Sequence, residues 1–405
     1  MVTLAFFSNH YMLKTLQGEF MVFFLVWLFF GFLALGPPAF IFLFMKYKSK
    51  AAWPTKVDGN YLPRVSVVIP TYNEADIIVY KLVNASRLSY PKDLLEIVVV
   101  DSNSSDDTAK MVKDFSEQNK NVDIKLLVEP ERKGKSHALN YALAHCSGEV
   151  IVVSDADCFW PADILTKALP YLADPTVGAI GGPKILFNAK QTWITRMEEG
   201  YLKSANTLRL GESKTCSTLF FEGGFSAFKR EALERFDPYE TGSDDCGTIV
   251  SVIEKNYRSM LVTDAKFFSS FPATFRGKIS IKLRRTIQLV RVFSKYFDLL
   301  LKGKANAARK TVVPNTLLYL FSPIAFVVFL FLTSYLLLSF PWLLVFFALL
   351  VVPQIRFYFY EIFENNILLF ISILAVLFGK KFSIWAKPED RLWLTKENLA
   401  FYGLI

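Results

Sequence analysis

Histidine and cysteine are scarce in this chain of 405 residues, which has 3 His and 4 Cys. The cysteines show no paired spacing, so the sequence does not predict a disulfide framework or a zinc knuckle. They are Cys146, Cys158, Cys216 and Cys246. We expect them to be small buried hydrophobes in a reducing compartment.

Charged residues are also few, at 20%, whereas a soluble domain typically carries about 25%. We find no internal repeat and no low-complexity linker, which argues against a repeat architecture.

Apolar side chains are abundant, with 52% hydrophobic residues and 39 Phe, and this excludes a disordered chain. Within an N-terminal segment 1–50, residues 20–45 form an almost uncharged run. The run exceeds the roughly 20 residues that a membrane span needs. It is too long for a secretory signal and lacks a convincing cleavage site, so we interpret it as a permanent anchor. Lys46, Lys48 and Lys50 follow it. Because positive residues stay inside, we expect an integral protein of the cell membrane whose next domain is cytoplasmic.

The second apolar region, residues 312–379, predicts about three more membrane helices. The three stretches cover residues 312–332, 336–353 and 357–379. Glu361 and Glu364 interrupt the third stretch, which leaves an interfacial helix open as an alternative. The tail 380–405 is basic, and its charge predicts a cytoplasmic location. Three preceding spans would place it outside, so these two indications conflict.

A basic segment, residues 276–311, precedes the C-terminal spans. It holds eleven Lys and Arg against one acid, Asp298, a net charge of +10 in a chain whose total is +9. Apolar residues are interleaved with these charges. We therefore expect an amphipathic helix on the anionic headgroups of a lipid bilayer, and no nucleic acid partner. Binding of an anionic ligand by part of the segment is a second possibility.

The region between the membrane segments, residues 51–275, has the pattern of an α/β domain. Runs rich in Val and Ile, typical of strands buried on both faces, alternate with helical patterns. The strand candidates are residues 64–70, 95–100, 149–154, 177–180 and 260–262, and the helix candidates are residues 76–87, 106–119, 135–144 and 162–172. This alternation predicts a doubly wound sheet, in which ligands bind at the carboxyl ends of the strands.

Polar residues follow each of the first three predicted strands. The three clusters are Thr71 to Glu74, Asp101 to Asp106, and Asp155-Ala156-Asp157. A helix cap explains any one of them, but three clusters at one sheet edge are harder to explain in that way. Asp155 and Asp157 would project to the same side of an extended segment and repel each other unless a cation or a proton lay between them. Hard oxygen ligands suit Mg²⁺ or Mn²⁺.

The order of motifs resembles that of the family 2 glycosyltransferases with the GT-A fold, a Rossmann-like α/β fold. The matching segments are VSVVIPTYNE (65–74), VVVDSNSSDDT (98–108), GKSHALN (134–140), SDADC (154–158), FFEGGFSAFKREAL (220–233), GSDDCG (242–247) and QLVRV (288–292). The last element, followed by apolar spans, is similar to the cellulose- and hyaluronan-synthase branch. Fewer spans make the chain most similar to a minimal archaeal membrane mannosyltransferase. The resemblance implies a GT-A catalytic domain in the cytosol between N- and C-terminal membrane helices.

The resemblance also implies roles for single residues. Asp157, with Asp155, would hold Mn²⁺ or Mg²⁺ against the donor diphosphate, and Asp245 would act as general base with Asp244 beside it. Gly223 and Gly224 would lie on the acceptor side. The residues implied to bind the donor are Thr71, Tyr72, Glu74, Asp101, Lys135, Asp155, Gln288 and Arg291.

We therefore expect a membrane-bound, metal-dependent, inverting glycosyltransferase. It would move a sugar from a nucleotide-sugar donor, with GDP-mannose favoured by resemblance, to a hydroxyl of a lipid-linked or growing glycan. One alternative is a polyprenyl-phosphate sugar synthase, whose phosphate acceptor is already ionised and needs no base. A processive polysaccharide synthase is another, although Val292 replaces the Trp that the family uses beneath the acceptor. The intact acidic motifs argue against a non-catalytic scaffold.

Overall fold

A computed structural model describes residues 2–380 and 394–405, and side chains from residue 20 onward within those ranges. The strands of the described residues are β1 (Val65–Thr71), β2 (Leu95–Asp101), β3 (Asp123–Val128), β4 (Val150–Val153), β5 (Val177–Gly181), β6 (Lys184–Leu186), β7 (Ser226–Lys229), β8 (Arg258–Leu261) and β9 (Phe267–Ser269). Seven of them form the sheet at the centre of the α/β domain, in the order β3-β2-β1-β4-β7-β5-β8. The remaining two, β6 and β9, form a separate parallel pair.

All five predicted strands are present, but the sheet is mixed rather than wholly parallel. β7 runs antiparallel between β4 and β5, and the other neighbours in the sheet are parallel. Because β1 and β2 pair in register up to Thr71 and Asp101, their polar carboxyl ends lie side by side. Sequence patterns missed β3, whose residues are half-buried or exposed, and the four-residue strand β7.

Helices cover both faces of the sheet, which confirms the doubly wound architecture. The helices of the domain are α2 (Ile78–Ser86), α3 (Thr108–Gln118), α4 (Lys135–Leu143), α5 (Ile164–Ala168), α6 (Trp193–Thr215), α7 (Cys246–Glu254) and α8 (Phe275–Leu301). One buried cluster packs α2 and α3 against the sheet, and a second packs α4, α7 and α8 against the opposite face. The predicted helix 162–172 continues beyond α5 as a 3₁₀ helix that contains Pro170. Proline cannot donate an α-helical hydrogen bond at that position.

Three helices in the described part of the chain are long and apolar enough to cross a membrane. They cover Phe20–Lys48, Asn306–Ser339 and Pro353–Leu377. The first belongs to α1 (Val2–Lys48). The second passes through α9 (Arg309–Thr316) and a π-helical turn into α10 (Ser322–Ser339). α1 packs closely on α10, since a Cβ at Gly31 would lie 2.8 Å from the Phe329 ring, and Trp27 Nε1 donates to Thr333 Oγ1 at 2.9 Å.

Of the three predicted C-terminal stretches, two form helices that are long and apolar enough to cross a membrane. The predicted middle span 336–353 consists of the end of α10 and a 3₁₀ helix, Pro341–Val351, of 11 residues. At about 2.0 Å per residue, this element reaches about 22 Å, short of the roughly 30 Å of a hydrocarbon core. The third stretch is α11 (Pro353–Leu377). Its Glu361 and Glu364 are buried and face the lysines of α8, with Lys282 Nζ 2.6 Å from Glu364 Oε2.

The C-terminal end returns to the catalytic domain. α12 (Lys396–Phe401) places Leu399 and Leu404 in the buried cluster that also contains β1 and α2. Asn84 Nδ2 donates to the Leu404 carbonyl at 2.8 Å. Two crossings after the domain would return the tail to the side of the domain, which is the side that its charge predicts. The basic tail residues Lys381, Lys387 and Arg391 lie outside the described residues.

The basic segment forms most of α8, but much of its charge faces protein. Lys278 and Lys282 are buried, and Lys278 Nζ lies 3.0 Å from Glu364. Five basic residues of the segment are exposed, namely Arg276, Lys302, Lys304, Arg309 and Lys310. The predicted contact with lipid headgroups would therefore involve these residues and not Lys278 and Lys282, whose acidic partners on α11 could not be read from helix periodicity.

Candidate active site

The carboxyl ends of β1 and β2 bring Thr71 and Asp101 together. Asp101 is 1% exposed. Its carboxylate accepts hydrogen bonds from the Ser104 backbone at 2.9 Å and the Ser104 hydroxyl at 2.5 Å. Thr71 Oγ1 donates to Asp101 at 3.3 Å. Asp101 therefore shapes the turn that follows β2, whatever it contributes to a ligand.

Tyr72 and Glu74 follow Thr71 in the chain, just after the carboxyl end of β1. The guanidinium carbon of Arg132 lies 3.6 Å from the centre of the Tyr72 ring, so the two side chains form a cation–π pair. Sequence reasoning missed Arg132, although it stands just before the GKSHALN motif. Glu74 is buried, and its backbone N–H donates to Thr108 Oγ1 at 2.8 Å.

The loop after β4 carries a set of residues that fits a divalent ion. Ligand atoms of Asp155, Asp157 and Cys158 all lie within 4.8 Å of one another. Burial raises the pKa of Asp155, and the carboxylates of Asp157 and Asp244 raise it further, against the opposing effect of Lys135. Crowded carboxylates of this kind favour a bound cation, and Asp155 and Asp157 supply the hard oxygens that Mn²⁺ and Mg²⁺ prefer. Cys158 Sγ donates to Asp157 Oδ1 at 3.6 Å.

Lys135 connects this loop to the second acidic motif. Its Nζ lies 2.5 Å from Asp155 Oδ1 and 2.8 Å from Asp244 Oδ2. Burial by itself lowers the pKa of Lys135, but the two carboxylates outweigh burial and raise it. We predicted that Lys135 binds the donor, and the structure adds that it joins the two acidic loops.

A side chain at position 223 or 224 would meet close neighbours. A Cβ at Gly223 would lie 2.8 Å from Asp155 Oδ2. At Gly224 a Cβ would lie 2.1 Å from the Phe267 ring. The Gly224 carbonyl also accepts a hydrogen bond from Trp160 Nε1 at 2.7 Å. The glycine pair thus lets the backbone pass directly beside the acidic loop.

Asp244 and Asp245 differ in their surroundings. Asp244 is tied to Lys135, whereas Asp245 is the N-cap of α7. One oxygen of Asp245, Oδ1, accepts hydrogen bonds from Ser243 Oγ at 2.5 Å and the Cys246 N–H at 2.6 Å. Among the described residues, no hydrogen bond engages Oδ2. Asp245 therefore combines a structural cap with an oxygen that is available to a ligand.

The QLVRV element of α8 holds the loop that carries this pair. Gln288 Nε2 donates to the Gly242 carbonyl, and Arg291 donates to the Thr241 carbonyl at 3.3 Å. Val292 is fully buried. The next residue, Phe293, stacks on Tyr319 with ring centres 4.5 Å apart, so its ring packs in the core.

One cavity of about 1010 Å³ unites most of these residues and extends to Asn365 on α11. The predicted site residues that line it are Lys135, Asp155, Asp157, Gly223, Gly224, Asp244, Asp245, Gln288 and Arg291. The edge residues Thr71, Tyr72, Glu74 and Asp101 do not line it. The structure thus brings both acidic motifs to one cavity, and the predicted nucleoside residues are not among those that line it.

Sequence reasoning also missed a buried ion-pair group beside Gly223. Arg209 lies 3.0 Å from Glu222, and Arg285 lies 3.7 Å from the same carboxylate. Burial by itself raises the pKa of Glu222, but the two arginines reverse this effect and lower the pKa to about 2. The signal available in the sequence was the acid that directly precedes the glycine pair.

The fold and the paired acidic loops define a GT-A glycosyltransferase. The model for glycosyl transferase family 2 matches residues 66–236. The structure is similar to that of the mannosyltransferase PcManGT from Pyrobaculum calidifontis in complex with GDP-Man and Mn²⁺, with a TM-score of 0.75 and 32% identity over 88% of this chain and 99% of that one. This chain belongs to glycosyl transferase family 2.

Two further relatives share only part of their length with this chain. The probable glycosyltransferase YdaM of Bacillus subtilis is 41% identical over 137 residues, 33% of each chain. An N-acetylglucosaminyltransferase of Rhizobium meliloti is 27% identical over 241 residues, 56% of each chain. Relatives with different sugars therefore share the catalytic domain, and the domain alone does not specify the sugar.

Proposed function

We propose that this enzyme is a membrane-bound inverting glycosyltransferase that transfers mannose from GDP-mannose to a hydroxyl of a lipid-linked or growing glycan. The catalytic domain would work at the cytoplasmic face of the cell membrane. The observation that carries this proposal is the cavity in which Asp157 and Asp245 both take part and which reaches membrane helix α11. The likeness to a mannosyltransferase in complex with GDP-Man and Mn²⁺ supports the choice of donor.

The donor side of the proposal rests on the loop after β4. Asp155 and Asp157 would hold Mn²⁺ or Mg²⁺, which neutralises charge on the leaving diphosphate when it is bound. Lys135 keeps Asp155 in place through its 2.5 Å contact. Tyr72, Arg132 and Asp101 at the sheet edge would receive the nucleoside, since ligands of such sheets lie across the carboxyl ends of the strands.

The acceptor side needs one carboxylate that takes a proton from the attacking hydroxyl. Asp245 suits this role better than Asp244, because Asp244 is paired with Lys135 at 2.8 Å. Ser243 and the Cys246 N–H fix Asp245 through Oδ1. This leaves Oδ2 to receive the proton. A single displacement with one base inverts the anomeric configuration.

The donor is tested by thermal shift of the full-length protein with nucleotide sugars, with and without Mn²⁺. A ligand that binds only the folded state raises the melting temperature. We expect GDP-mannose to do so, and to do so more strongly with Mn²⁺. Stabilisation by UDP-sugars alone, or by no nucleotide sugar, would contradict the choice of donor.

The base is tested with Asp245→Asn, which keeps the N-cap geometry. We expect the rate of transfer to a hydroxyl acceptor to fall by about 10²-fold or more, while GDP-mannose binding changes little. A polyprenyl-phosphate acceptor is already ionised, so transfer to phosphate at an unchanged rate would favour a polyprenyl-phosphate sugar synthase. Products of many lengths on a gel would favour a processive polysaccharide synthase.

A further inference from the structure

Glu198 on α6 has a buried carboxylate oxygen that nothing in the described part of the chain satisfies. Its side chain lines the same cavity as Asp155 and Asp245, and the residue is 2% exposed. Oε2 accepts no hydrogen bond. Burial raises the pKa of Glu198, although Lys282 and Arg285 oppose this effect. A buried acceptor without a hydrogen-bond partner is unfavourable, so the unsatisfied oxygen points to a ligand.

Glu222 lines the same cavity and its charge acts on Glu198, so the two acids lie on one wall of the cavity. Glu222 has a partner within the protein. Glu222 has Arg209 at 3.0 Å. Among the described side chains that line the cavity, Glu198 alone has a buried polar atom without a hydrogen-bond partner. The unsatisfied oxygen of Glu198 is therefore not shared by the other side chains that line the cavity.

Cationic groups lie on the same wall. Arg285 reaches Glu222 only at 3.7 Å, so its N–H groups retain capacity to donate. Lys282 lies on the same face of α8, three residues before it, and its Nζ is 5.0 Å from the centre of the Tyr201 ring. Tyr201 follows Glu198 by one helical turn and also lines the cavity. The wall thus offers one acceptor oxygen, several donors and an aromatic face.

A sugar hydroxyl matches this combination, because it donates and accepts at once. It would donate to Glu198 and accept from Arg285, and it would remain matched if the carboxyl took up a proton. A bare polyprenyl phosphate is a monoester that is largely ionised at neutral pH, so it would seldom donate a proton to Glu198 and would add negative charge beside Glu198 and Glu222. The aromatic ring of Tyr201 suits the apolar face of a pyranose.

We propose that Glu198 and Arg285 bind hydroxyl groups of the sugar of the acceptor, so that the acceptor is a lipid-linked glycoside and not a bare polyprenyl phosphate. This inference rests on the proposed function and specifies its acceptor. The cavity extends past Ile281 of α8 to Asn365 of α11. A lipid attached to the bound sugar would leave toward the membrane along this route.

The experiment compares Glu198→Leu and Glu198→Gln with the control Glu199→Gln. Glu199 is the neighbouring acid, 38% exposed and paired with Lys203 at 2.8 Å on the helix surface. The full-length enzymes are reconstituted in nanodiscs, because glycosidic detergents would compete. Octyl mannoside and octyl glucoside serve as acceptor probes, and farnesyl phosphate serves as the phosphate probe. Mannose transfer is measured against acceptor concentration, and GDP-mannose affinity is measured separately with Mn²⁺.

We expect Glu198→Leu to raise KM for the preferred glycoside by about tenfold or more and to leave the GDP-mannose Kd within about twofold. Glu198→Gln retains one acceptor oxygen and should lie between Glu198→Leu and the unchanged enzyme, with Glu199→Gln unaltered. An unchanged KM in Glu198→Leu would overturn the inference, as would efficient transfer to farnesyl phosphate but not to glycosides. If GDP-mannose fails to bind the unchanged enzyme, the proposed donor is at fault; saturation-transfer NMR of glycoside binding, with and without the Glu198→Leu change, then still decides the acceptor site.

Discussion

Gly223 offers a direct test of the acidic loop, because the space that a methyl group would need is occupied by a proposed metal ligand. A Cβ at this position would lie 2.8 Å from Asp155 Oδ2 and 3.0 Å from Lys135 Nζ. Gly223 is not among the glycines with positive φ, so alanine meets no backbone strain. The clash involves the ends of two flexible side chains. Gly223→Ala should therefore fold normally and displace Asp155.

The magnitude follows from the contact that a displaced Asp155 would no longer make with the ion. Lys135 holds Asp155 in place at 2.5 Å, and we take the lost contact to a charged group as about 1.5–3 kcal/mol. Since 1.4 kcal/mol corresponds to a factor of ten, we expect the Kd for Mn²⁺ to rise by roughly 10- to 100-fold. The rate of transfer at low Mn²⁺ should fall by a similar factor and recover in part at high Mn²⁺.

Manganese binding is measured by electron paramagnetic resonance on the full-length protein with GDP present. Gly59→Ala is the matched control, because its Cβ would meet nothing within 4 Å. The melting temperature of both variants should stay close to that of the unchanged protein. If Gly223→Ala keeps its Mn²⁺ affinity within twofold, Asp155 does not hold the ion and our assignment of the loop fails.

Two further predictions concern stability. Burial alone raises the pKa of Glu96, but hydrogen bonds led by that from Lys125 lower it to about 2; its contribution is therefore present above the ordinary pKa and lost as the pH falls toward 2. Glu96→Gln should lower the free energy of unfolding at pH 7 by about 1–3 kcal/mol, and the free energy of unfolding of this variant should decline less steeply as the pH falls. If denaturation curves show the same difference between the variant and the unchanged protein at pH 7 and in acid, this prediction is wrong. Asn84 bonds Trp160 O at 2.7 Å, Trp160 N at 2.9 Å and Leu404 O at 2.8 Å, so Asn84→Leu should lower the melting temperature by about 5–10 °C through loss of roughly 2–4 kcal/mol. An unchanged melting temperature would show that the C-terminal end does not stabilise the domain.

Local sequence patterns were sufficient to predict an element where its segment is long and uniform in character. The apolar runs that correspond to β1, β2 and β4 alternate with helical patterns, and this alternation predicted the doubly wound sheet. Asp155 and Asp157 were candidates for the site because they follow a predicted strand, and ligands of such sheets lie at strand ends. The short strand β7 was missed because four residues carry little periodic signal, and its antiparallel direction depends on its neighbours.

Charge patterns misled where partners come from distant segments. Glu361 and Glu364 suggested a broken membrane helix, and Lys278 and Lys282 suggested a lipid-facing strip. The structure pairs the two groups, with Lys282 2.6 Å from Glu364 across 82 residues of sequence. A helical pattern shows which residues share a face, but it does not show what that face meets.

Residue patterns alone were enough to predict the class of fold, the family and the two acidic motifs, because strand periodicity and motif order are local properties of a chain. How the motif residues are connected became visible only in the folded protein: Lys135 lies between Asp155 and Asp244, and one oxygen of Asp245 is left open. The folded protein also shows that the tail returns to the domain and that Glu198 lies unsatisfied in the cavity. These features depend on contacts between residues far apart in the chain, and such contacts form only when the chain packs.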